Sequence, residues 1–298
     1  MTLGQLRTFL AVARAGSVRR AAASLVVTEP SVSAGVAALS RELGVRLTER
    51  VGRGIRLTAA GREFAVYAAQ ILGLADRAGR AAREAAGGPG HVRLAAVTTA
   101  GEYVLPQIIA GFLKEQPGLQ VSIEVGNRSS TVAKLMDHEA DLAIGGRPPP
   151  GGELDGRAFL DNPLVVVGRA DHRLRGSNGF DPRKLSGETW LLRESGSGTR
   201  EATEEFLAAN QVEPGSIMNV GSNGAIKRAV ALGLGVTLIS RGAVAEELAS
   251  GDLALLPTKG TPLARSWYML YRSDTQLPAS ARLFLEYLGS PAALGTVR

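Results

Sequence analysis

Apolar residues in the first 44 positions recur at helical spacing in three short stretches, which predicts three amphipathic helices. Gly16 ends the first helix, Ser17 caps the second, and Thr28 caps the third with Pro30 in its first turn. Two short helices joined by a tight turn and packed on a preceding helix form a helix-turn-helix, which serves contacts with DNA or with protein. The predicted inward-facing residues are Leu3, Leu6, Phe9, Leu10 and Ala13 in the first helix, Val18, Ala21, Ala22 and Leu25 in the second, and Val32, Val36 and Leu39 in the third.

A longer helix is predicted next, because residues 58–86 contain no proline and carry a heptad of small and apolar residues. Such a seam faces a partner helix, so it is predicted to dimerise two copies of the chain. A helix packed on its own domain is the alternative, and the spacing leaves it open. The glycine- and proline-rich residues 87–90 predict a domain boundary. The predicted dimerisation residues are Phe64, Ala68, Ile71, Ala75, Ala78 and Ala82, and Ala85 continues the repeat.

After residue 90, strand-like and helix-like stretches alternate, which predicts a mainly parallel sheet with helices on its faces. The proline- and glycine-rich segment 148–152 is interpreted as the turn between two α/β lobes. A last strand at 266–272 and a helix at 278–289 are predicted to cross back and complete the first lobe. The other predicted strands are 92–97, 119–125, 141–144, 164–167, 189–192, 216–220 and 236–240, and the other predicted helices are 102–115, 130–138, 199–210 and 223–233.

The predicted fold class is therefore α+α/β, with a winged helix-turn-helix, a long linker helix and a two-lobed α/β domain of periplasmic-binding-protein type. The predicted boundaries are 1–58 for the winged helix-turn-helix domain, 59–90 for the linker helix and hinge, and 91–298 for the two-lobed domain. Within the last domain, lobe I is predicted at about 91–161 and 273–298, and lobe II at about 162–272.

The charge of the chain is concentrated in its first part. The formal net charge is +6, but residues 1–86 carry 13 arginines, no lysine and 6 acidic residues, whereas the remainder is close to neutral. A basic unit joined to a neutral body favours a polyanion partner for the former. Without cysteine there is no disulfide or thiolate metal site, and the three histidines lie far apart. Neither a signal peptide nor a bilayer-spanning apolar run is recognised, so a cytoplasmic protein without a membrane partner is expected.

Arg50, Arg53 and Arg56 fall at every third position around glycines after the predicted helix-turn-helix. A two-stranded wing of this kind presents guanidinium groups to backbone phosphates, although a solvated charged turn is the plainer alternative. With Arg19 and Arg20, these residues are expected to supply most of the affinity for double-stranded DNA. The predicted contacts of the third helix are Thr28, Glu29, Pro30, Ser31, Ser33, Ala34 and Ala37.

Polar residues follow the predicted strands at the ends where ligands bind in parallel α/β folds. Hydroxyls, backbone amides and three arginines converging on one cleft suit a carboxylate or phosphate, although Ser, Thr and Asn also serve as ordinary helix caps. The predicted effector-binding residues are Thr98, Thr99, Ala100, Arg128, Ser129, Arg147, Ser195, Thr199, Arg200, Ser222 and Asn223.

Two other classes of protein are weighed. An enzyme is disfavoured because the SGSGT segment at 195–199 is neither a nucleophile elbow nor a phosphate-cradling loop, and no catalytic residue is assigned. A periplasmic solute receptor explains two lobes but leaves the arginine-rich first 86 residues unexplained.

Residues 6–61 resemble the winged helix-turn-helix of LysR-type transcriptional regulators over nearly their whole length. The chain departs from the family pattern at Glu29, where Gln is usual, at Ala34, often basic, and at Val18 and Thr48, usually Phe. The matching residues are Ala21, Ala22, Pro30, Ser33, Leu39, Glu42, Leu43, Gly44, Leu47, Arg50, Leu57, Thr58, Ala60 and Gly61.

The later segments 97–149, 193–207 and 221–240 resemble the effector lobes of the same family, and most closely its subgroup that controls carbon-fixation operons. That resemblance implies a phosphorylated metabolite or a nicotinamide cofactor as effector, and a homotetramer built as a dimer of the homodimers that the heptad predicts. No resident cofactor is expected. Effector identity, target operon and direction of regulation are not implied.

Overall fold

The computed structural model describes residues 1–52, 54–177, 179–290 and 293. The chain divides into two compact units. One comprises residues 1–88 with 136–139, and the other comprises 89–135 with 140–298. No single helix among the described residues has the length and apolar character needed to cross a bilayer, and the one pair that passes jointly, Val18–Leu25 with Glu29–Glu42, is bent by 107°.

The first unit contains the predicted helix-turn-helix. Its helices begin at side-chain caps, because Ser17 accepts from the amide of Arg20 and Thr28 accepts from the amide of Ser31. Most of the predicted inward residues pack into one apolar cluster that also holds Leu47. Leu3, in the first turn of the first helix, is exposed instead, so its predicted inward position is wrong. Its elements are α1 (Leu3–Ala15), α2 (Val18–Leu25), α3 (Glu29–Glu42), β1 (Thr48–Val51), β2 (Gly54–Leu57) and α4 (Ala59–Ala85).

The long helix α4 packs its first half against α1, which corrects the predicted dimerisation seam. The rings of Phe9 and Phe64 lie 5.4 Å apart between centroids, and Ala68 is fully buried in the same cluster. Phe64 and Ala68 therefore belong to the core of their own domain. The apolar side chains that α4 exposes are Tyr67, Ile71 and Leu74, together with Val66. Ala78 and Ala82 are also exposed, whereas Ala75 is half-buried.

The second unit alternates strands and helices, and its elements form two lobes. The strands are β3 (His91–Val97), β4 (Gln120–Gly126), β5 (Leu142–Gly145), β6 (Leu154–Asp161), β7 (Leu164–Arg169), β8 (Thr189–Leu192), β9 (Ser216–Asn219), β10 (Thr237–Ser240), β11 (Leu253–Leu255) and β12 (Ser266–Arg272). The helices are α5 (Thr98–Tyr103), α6 (Leu105–Glu115), α7 (Arg128–Met136), α8 (Gly198–Ala209), α9 (Asn223–Ala231), α10 (Ala245–Ser250) and α11 (Ala279–Leu288), with 3-10 turns at Pro182–Leu185 and Arg241–Val244.

The sheet of lobe I has the order β4-β3-β5-β12-β6. Strands β4, β3 and β5 are parallel, whereas β12 runs antiparallel to both β5 and β6. In lobe II, β7 lies between β10 and β11 and is antiparallel to both, while β8 and β9 form a parallel pair. The core of lobe I includes Phe112 packed edge-on against Phe284, and that of lobe II includes Trp190 beside Phe206.

Three predictions for this unit are wrong in detail. The sheets are mixed rather than mainly parallel, because β6, β11 and β12 all pair antiparallel with their neighbours. Strands β6 and β11 were not predicted from the sequence. Segment 148–152 leads into β6 of the same lobe, so it does not join the lobes. The chain crosses between lobes at 162–163 and 264–265 instead. The return of the strand at 266–272 to lobe I is confirmed, so the lobe boundary predicted at about 272 is wrong, because β12 belongs entirely to lobe I.

Candidate nucleic-acid interface and ligand cleft

The third helix presents a small, polar surface to solvent. Thr28 caps it, and the hydroxyl groups of Thr28 and Ser31 lie 2.9 Å apart, so each satisfies part of the other's hydrogen-bonding capacity. The buried face is Val32, Val36 and Leu39. The predicted DNA-contacting residues of this segment are all exposed, namely Thr28, Glu29, Pro30, Ser31, Ser33, Ala34 and Ala37.

The predicted phosphate-binding arginines differ in whether their guanidinium groups already have a partner within the protein. Arg56 lies opposite Glu49 across the wing and pairs with its carboxylate at 2.8 Å. Arg20 donates to the carbonyl of Ala15. Arg19 and Arg50 are exposed, and their side chains make no hydrogen bond or ion pair to any described residue. Arg53 lies outside the described residues.

The second unit contains a cleft between its two lobes. It encloses a cavity of about 40 Å³, counted as the space open to the centre of a water molecule. Residues from the carboxyl ends of β3, β4, β5 and β8 and from both crossover segments meet there. The lining residues are Val97, Thr98, Thr99, Gly126, Asn127, Arg128, Gly146, Asn162, Arg193, Ser197, Gly198, Thr199, Arg265, Ser266 and Trp267.

The N-terminus of α8 opens into this cleft. Ser197 occupies the capping position but its hydroxyl makes no capping bond, although the residue is buried. The first main-chain bond of the helix runs from the amide of Glu201 to the carbonyl of Ser197. The amides of the first three helical residues therefore have no partner within the helix, and such groups favour a negative charge nearby.

Two arginines face each other across the cleft. Arg128, the first residue of α7, donates to the carbonyl of Arg147 at 2.8 Å, and Arg265 donates to the carbonyl of Gly198 at 2.7 Å. A Cβ placed on Gly146 would lie 3.0 Å from Nη1 of Arg128 and 3.3 Å from Nη2 of Arg265. Burial lowers the pKa of Arg265, and the nearby charge of Arg128 lowers it further. Among the described residues, neither guanidinium has a carboxylate partner.

A third arginine, Arg193, forms an ion pair with a glutamate and links the two lobes through hydrogen bonds. Arg193 is buried and pairs bidentately with Glu194, at 2.8 and 2.9 Å. It also donates to the side-chain oxygen of Asn223 at 2.8 Å and to Thr98 at 3.3 Å. Asn223 in turn donates to the hydroxyl of Thr99 at 3.0 Å. This buried network ties the end of β8 and the start of α9 to α5 of the other lobe.

Four of the predicted effector-binding residues line the cleft, namely Thr98, Thr99, Arg128 and Thr199. The others do not. Arg200 is held away by Glu204 and Asn219, Ser222 caps α9, Ala100 lies in the core of lobe I, and Asn223 braces the lobes. Ser129, Arg147 and Ser195 are exposed outside the lining.

The sequence prediction missed Asn162, Arg193, Arg265 and Trp267, and its final set left out Asn127 and Ser197, which lie in the strand-end segments that it had singled out. Arg193 directly follows β8, so the strand-end rule could have found it. Arg265 reaches the cleft from the crossover before an antiparallel strand, where that rule has no application.

A winged helix-turn-helix joined by a long helix to a two-lobed domain with a polar cleft defines a one-component regulator, which combines DNA reading and ligand sensing in one chain. Residues 3–62 match the bacterial regulatory helix-turn-helix protein of the lysR family, and residues 85–292 match the LysR substrate binding domain. The chain belongs to the LysR family of DNA-binding transcriptional regulators.

Individual relatives agree with this assignment. The chain is 38% identical to the HTH-type transcriptional activator CmpR of Synechocystis sp., over 96% of this chain and 94% of that protein. It is 39% identical to a RuBisCO operon transcriptional regulator of Acidithiobacillus ferrooxidans, over 99% and 95% respectively. These relatives are regulators rather than enzymes, and the resemblance to the carbon-fixation subgroup is confirmed.

A solved structure supports the fold of the second unit. The regulatory domain of Synechocystis CcmR in complex with 2-PG superimposes with a TM-score of 0.64 at 36% identity, and the match covers 67% of this chain and 96% of that one.

Proposed function

We propose that this chain is a cytoplasmic regulator whose binding to double-stranded DNA responds to a small anionic metabolite, a phosphate or carboxylate compound, held in the cleft between the lobes. No resident cofactor or metal takes part in this proposal. The observation that carries it is the unpaired Arg128 and Arg265 beside the open N-terminus of α8. Guanidinium groups and free helix amides are the donors that recognise phosphates and carboxylates.

The size of the cavity favours a compact ligand. A water molecule needs roughly 10–15 Å³ in this measure, so 40 Å³ holds about three waters. Such a space accommodates little more than a single carboxylate or phosphate group, so it favours a small acid over a nicotinamide dinucleotide, which is many times larger. The Synechocystis CcmR regulatory domain, whose structure is in complex with 2-PG, supports the same size class.

The donor groups around the cleft come from different lobes, which couples ligand binding to the arrangement of the lobes. Arg128 belongs to lobe I, the α8 amides belong to lobe II, and Arg265 belongs to the crossover between them. An anion that bonds all three favours one arrangement of the lobes over others. That difference in affinity is the condition for any ligand to shift the protein between two states.

We also propose that two copies pair through the exposed stripe Tyr67, Ile71 and Leu74 of α4, continued by Ala78. These side chains lie at 4-3-4 spacing and face away from the core that holds Phe64 and Ala68. A dimer places two reading heads on one palindromic site. Pairing of such dimers into a tetramer is the arrangement implied by the family resemblance.

The ligand proposal is tested on the full-length chain by calorimetric titration with 2-phosphoglycolate and by fluorescence anisotropy with promoter duplexes. The wild type is expected to bind and to change its DNA affinity on binding. Arg128→Gln should weaken ligand binding at least about tenfold, because it removes a charged donor. Arg183→Gln, which removes an exposed arginine of lobe II, is the matched control. Absence of binding, or equal binding by the Arg128 variant, contradicts the proposal.

A further inference from the structure

We propose that Arg265 is the residue that makes the cleft select a doubly charged anionic group over a singly charged one. This inference rests on the proposed function, because it assigns a specificity within the same anion site. It concerns the charge of the ligand, which shape and hydrogen bonding alone do not determine.

The first support is the position of Arg265 in the chain. It lies in the crossover from lobe II to lobe I, and its own carbonyl accepts from the amide of Asn162 in the other crossover at 2.7 Å. This hydrogen bond links the two crossover segments where they line the cleft. The guanidinium is fixed at its other end by the carbonyl of Gly198, at the start of α8. Arg265 is therefore held in the cleft by both ends before any ligand arrives.

The second support is the count of charges around it. The other charged groups facing the cleft are Arg128 from α7 and the Arg193–Glu194 pair after β8, which is neutral as a pair. On α8, Glu201 and Glu205 act on Arg265 only at longer range, since neither forms an ion pair with it. No histidine is among the lining residues of the described chain. Two positive charges thus remain in the cleft.

The third support is the environment of those two charges. Arg128 and Arg265 approach the same point above Gly146, and both bond neutral carbonyl oxygens rather than carboxylates. Like charges held this closely in a partly desolvated site repel each other. A group with two negative charges cancels the repulsion from both, whereas a group with one negative charge leaves an uncompensated arginine. A phosphate monoester above its second pKa, about 6, carries two charges.

The test compares two ligands of the same shape and different charge. 2-Phosphoglycolate and the sulfate ester of glycolate are nearly isosteric, but the sulfate group carries a single charge across the range in which the phosphate titrates. Affinities are measured on the full-length chain by calorimetry at about pH 8 and about pH 5, on either side of the phosphate pKa. The wild type is expected to prefer the phosphate at least about tenfold at the higher pH. At the lower pH the preference should largely disappear.

Arg265→Gln is expected to bind both ligands with similar affinity at both pH values, because one arginine is matched by one charge. Arg265→Lys keeps the charge and should retain the pH-dependent preference, which separates the charge from a purely structural role. Arg183→Gln controls for a general change in net charge and should behave as wild type. Each variant is first compared with wild type by thermal unfolding, and Arg265→Met, which also removes the charge, carries the test if the glutamine variant is unfolded.

The outcomes separate this inference from the proposed function. If the wild type binds neither ligand, the anion-sensor proposal itself fails. If it binds 2-phosphoglycolate but Arg265→Gln keeps the wild-type preference and pH profile, the specificity assignment is overturned. Loss of the preference in Arg265→Lys as well would also overturn it, because charge would then not be the cause.

Discussion

Replacing Ile71 and Leu74 by glutamate tests whether the exposed stripe of α4 joins two copies of the chain. In the single chain, Tyr67, Ile71 and Leu74 leave 55%, 38% and 47% of their surface exposed. Burying such a side chain completely is worth about 1.5–3 kcal/mol, so burying the remaining half contributes about 1 kcal/mol per residue. Two helices with three such residues each gain about 6 kcal/mol before the cost of association.

The double replacement removes about 4 kcal/mol of that gain and introduces four carboxylates at the seam. The dimer dissociation constant should therefore rise at least about a thousandfold. Glutamate is a good helix former, so α4 itself should persist. Sedimentation velocity over a range of concentrations measures the change, and anisotropy on palindromic and half-site duplexes measures its effect on DNA binding.

A control is Leu232→Glu, which adds one of the two carboxylates of the double variant, at a leucine of α9's C-terminal cap that is 76% exposed. It should leave the oligomeric state unchanged. If the double variant sediments as the wild type does, the stripe does not join the copies, and the reasoning from exposed apolar area on α4 is refuted.

Three further predictions concern other parts of the chain. Val26 is a β-branched residue with a φ of 56°, and 90% of its surface is exposed. Replacing it by Asn, which tolerates that conformation better, should raise the free energy of unfolding by about 1 kcal/mol in a denaturant titration. An unchanged midpoint would show that Val26 is not strained. Glu49→Gln should release Arg56 and raise DNA affinity, whereas Arg50→Gln should lower it and reduce the salt slope by about 1, both read by anisotropy at several salt concentrations. Asn223→Ala should cost about 1–3 kcal/mol in stability, because it leaves buried partners unpaired, and a thermal melt identical to wild type would contradict this.

Much of the first unit could be predicted from sequence because its determinants are local. The caps at Ser17 and Thr28 and the buried face of α3 depend on residues within a few positions of each other. The wing was also predicted, since glycines and regularly spaced arginines mark it. The pairing of Arg56 with Glu49 was not, although the two residues lie opposite each other in a short hairpin.

The heptad of α4 shows where periodicity stops being informative. A repeat of small and apolar residues predicts a buried face but not the partner that buries it. Phe64 and Ala68 follow the repeat, yet they pack on α1 of their own chain, while Tyr67 lies outside the predicted seam and is exposed. Only the position of α1 against α4 decides that Phe64 and Ala68 are covered within the chain while Tyr67 is exposed.

The sequence by itself determined the order of the domains and four of the cleft residues, because hydrophobic periodicity, helix caps and strand ends are properties of neighbouring residues. Its resemblance to LysR-type regulators indicated the class of protein. Tertiary structure alone decided the mixed pairing of the sheets and the composition of the cleft. Strand β12 comes back to lobe I from far along the chain, and Arg265 enters the cleft with it. A contact of that kind depends on how separate segments pack, so no local pattern around Arg265 could reveal it.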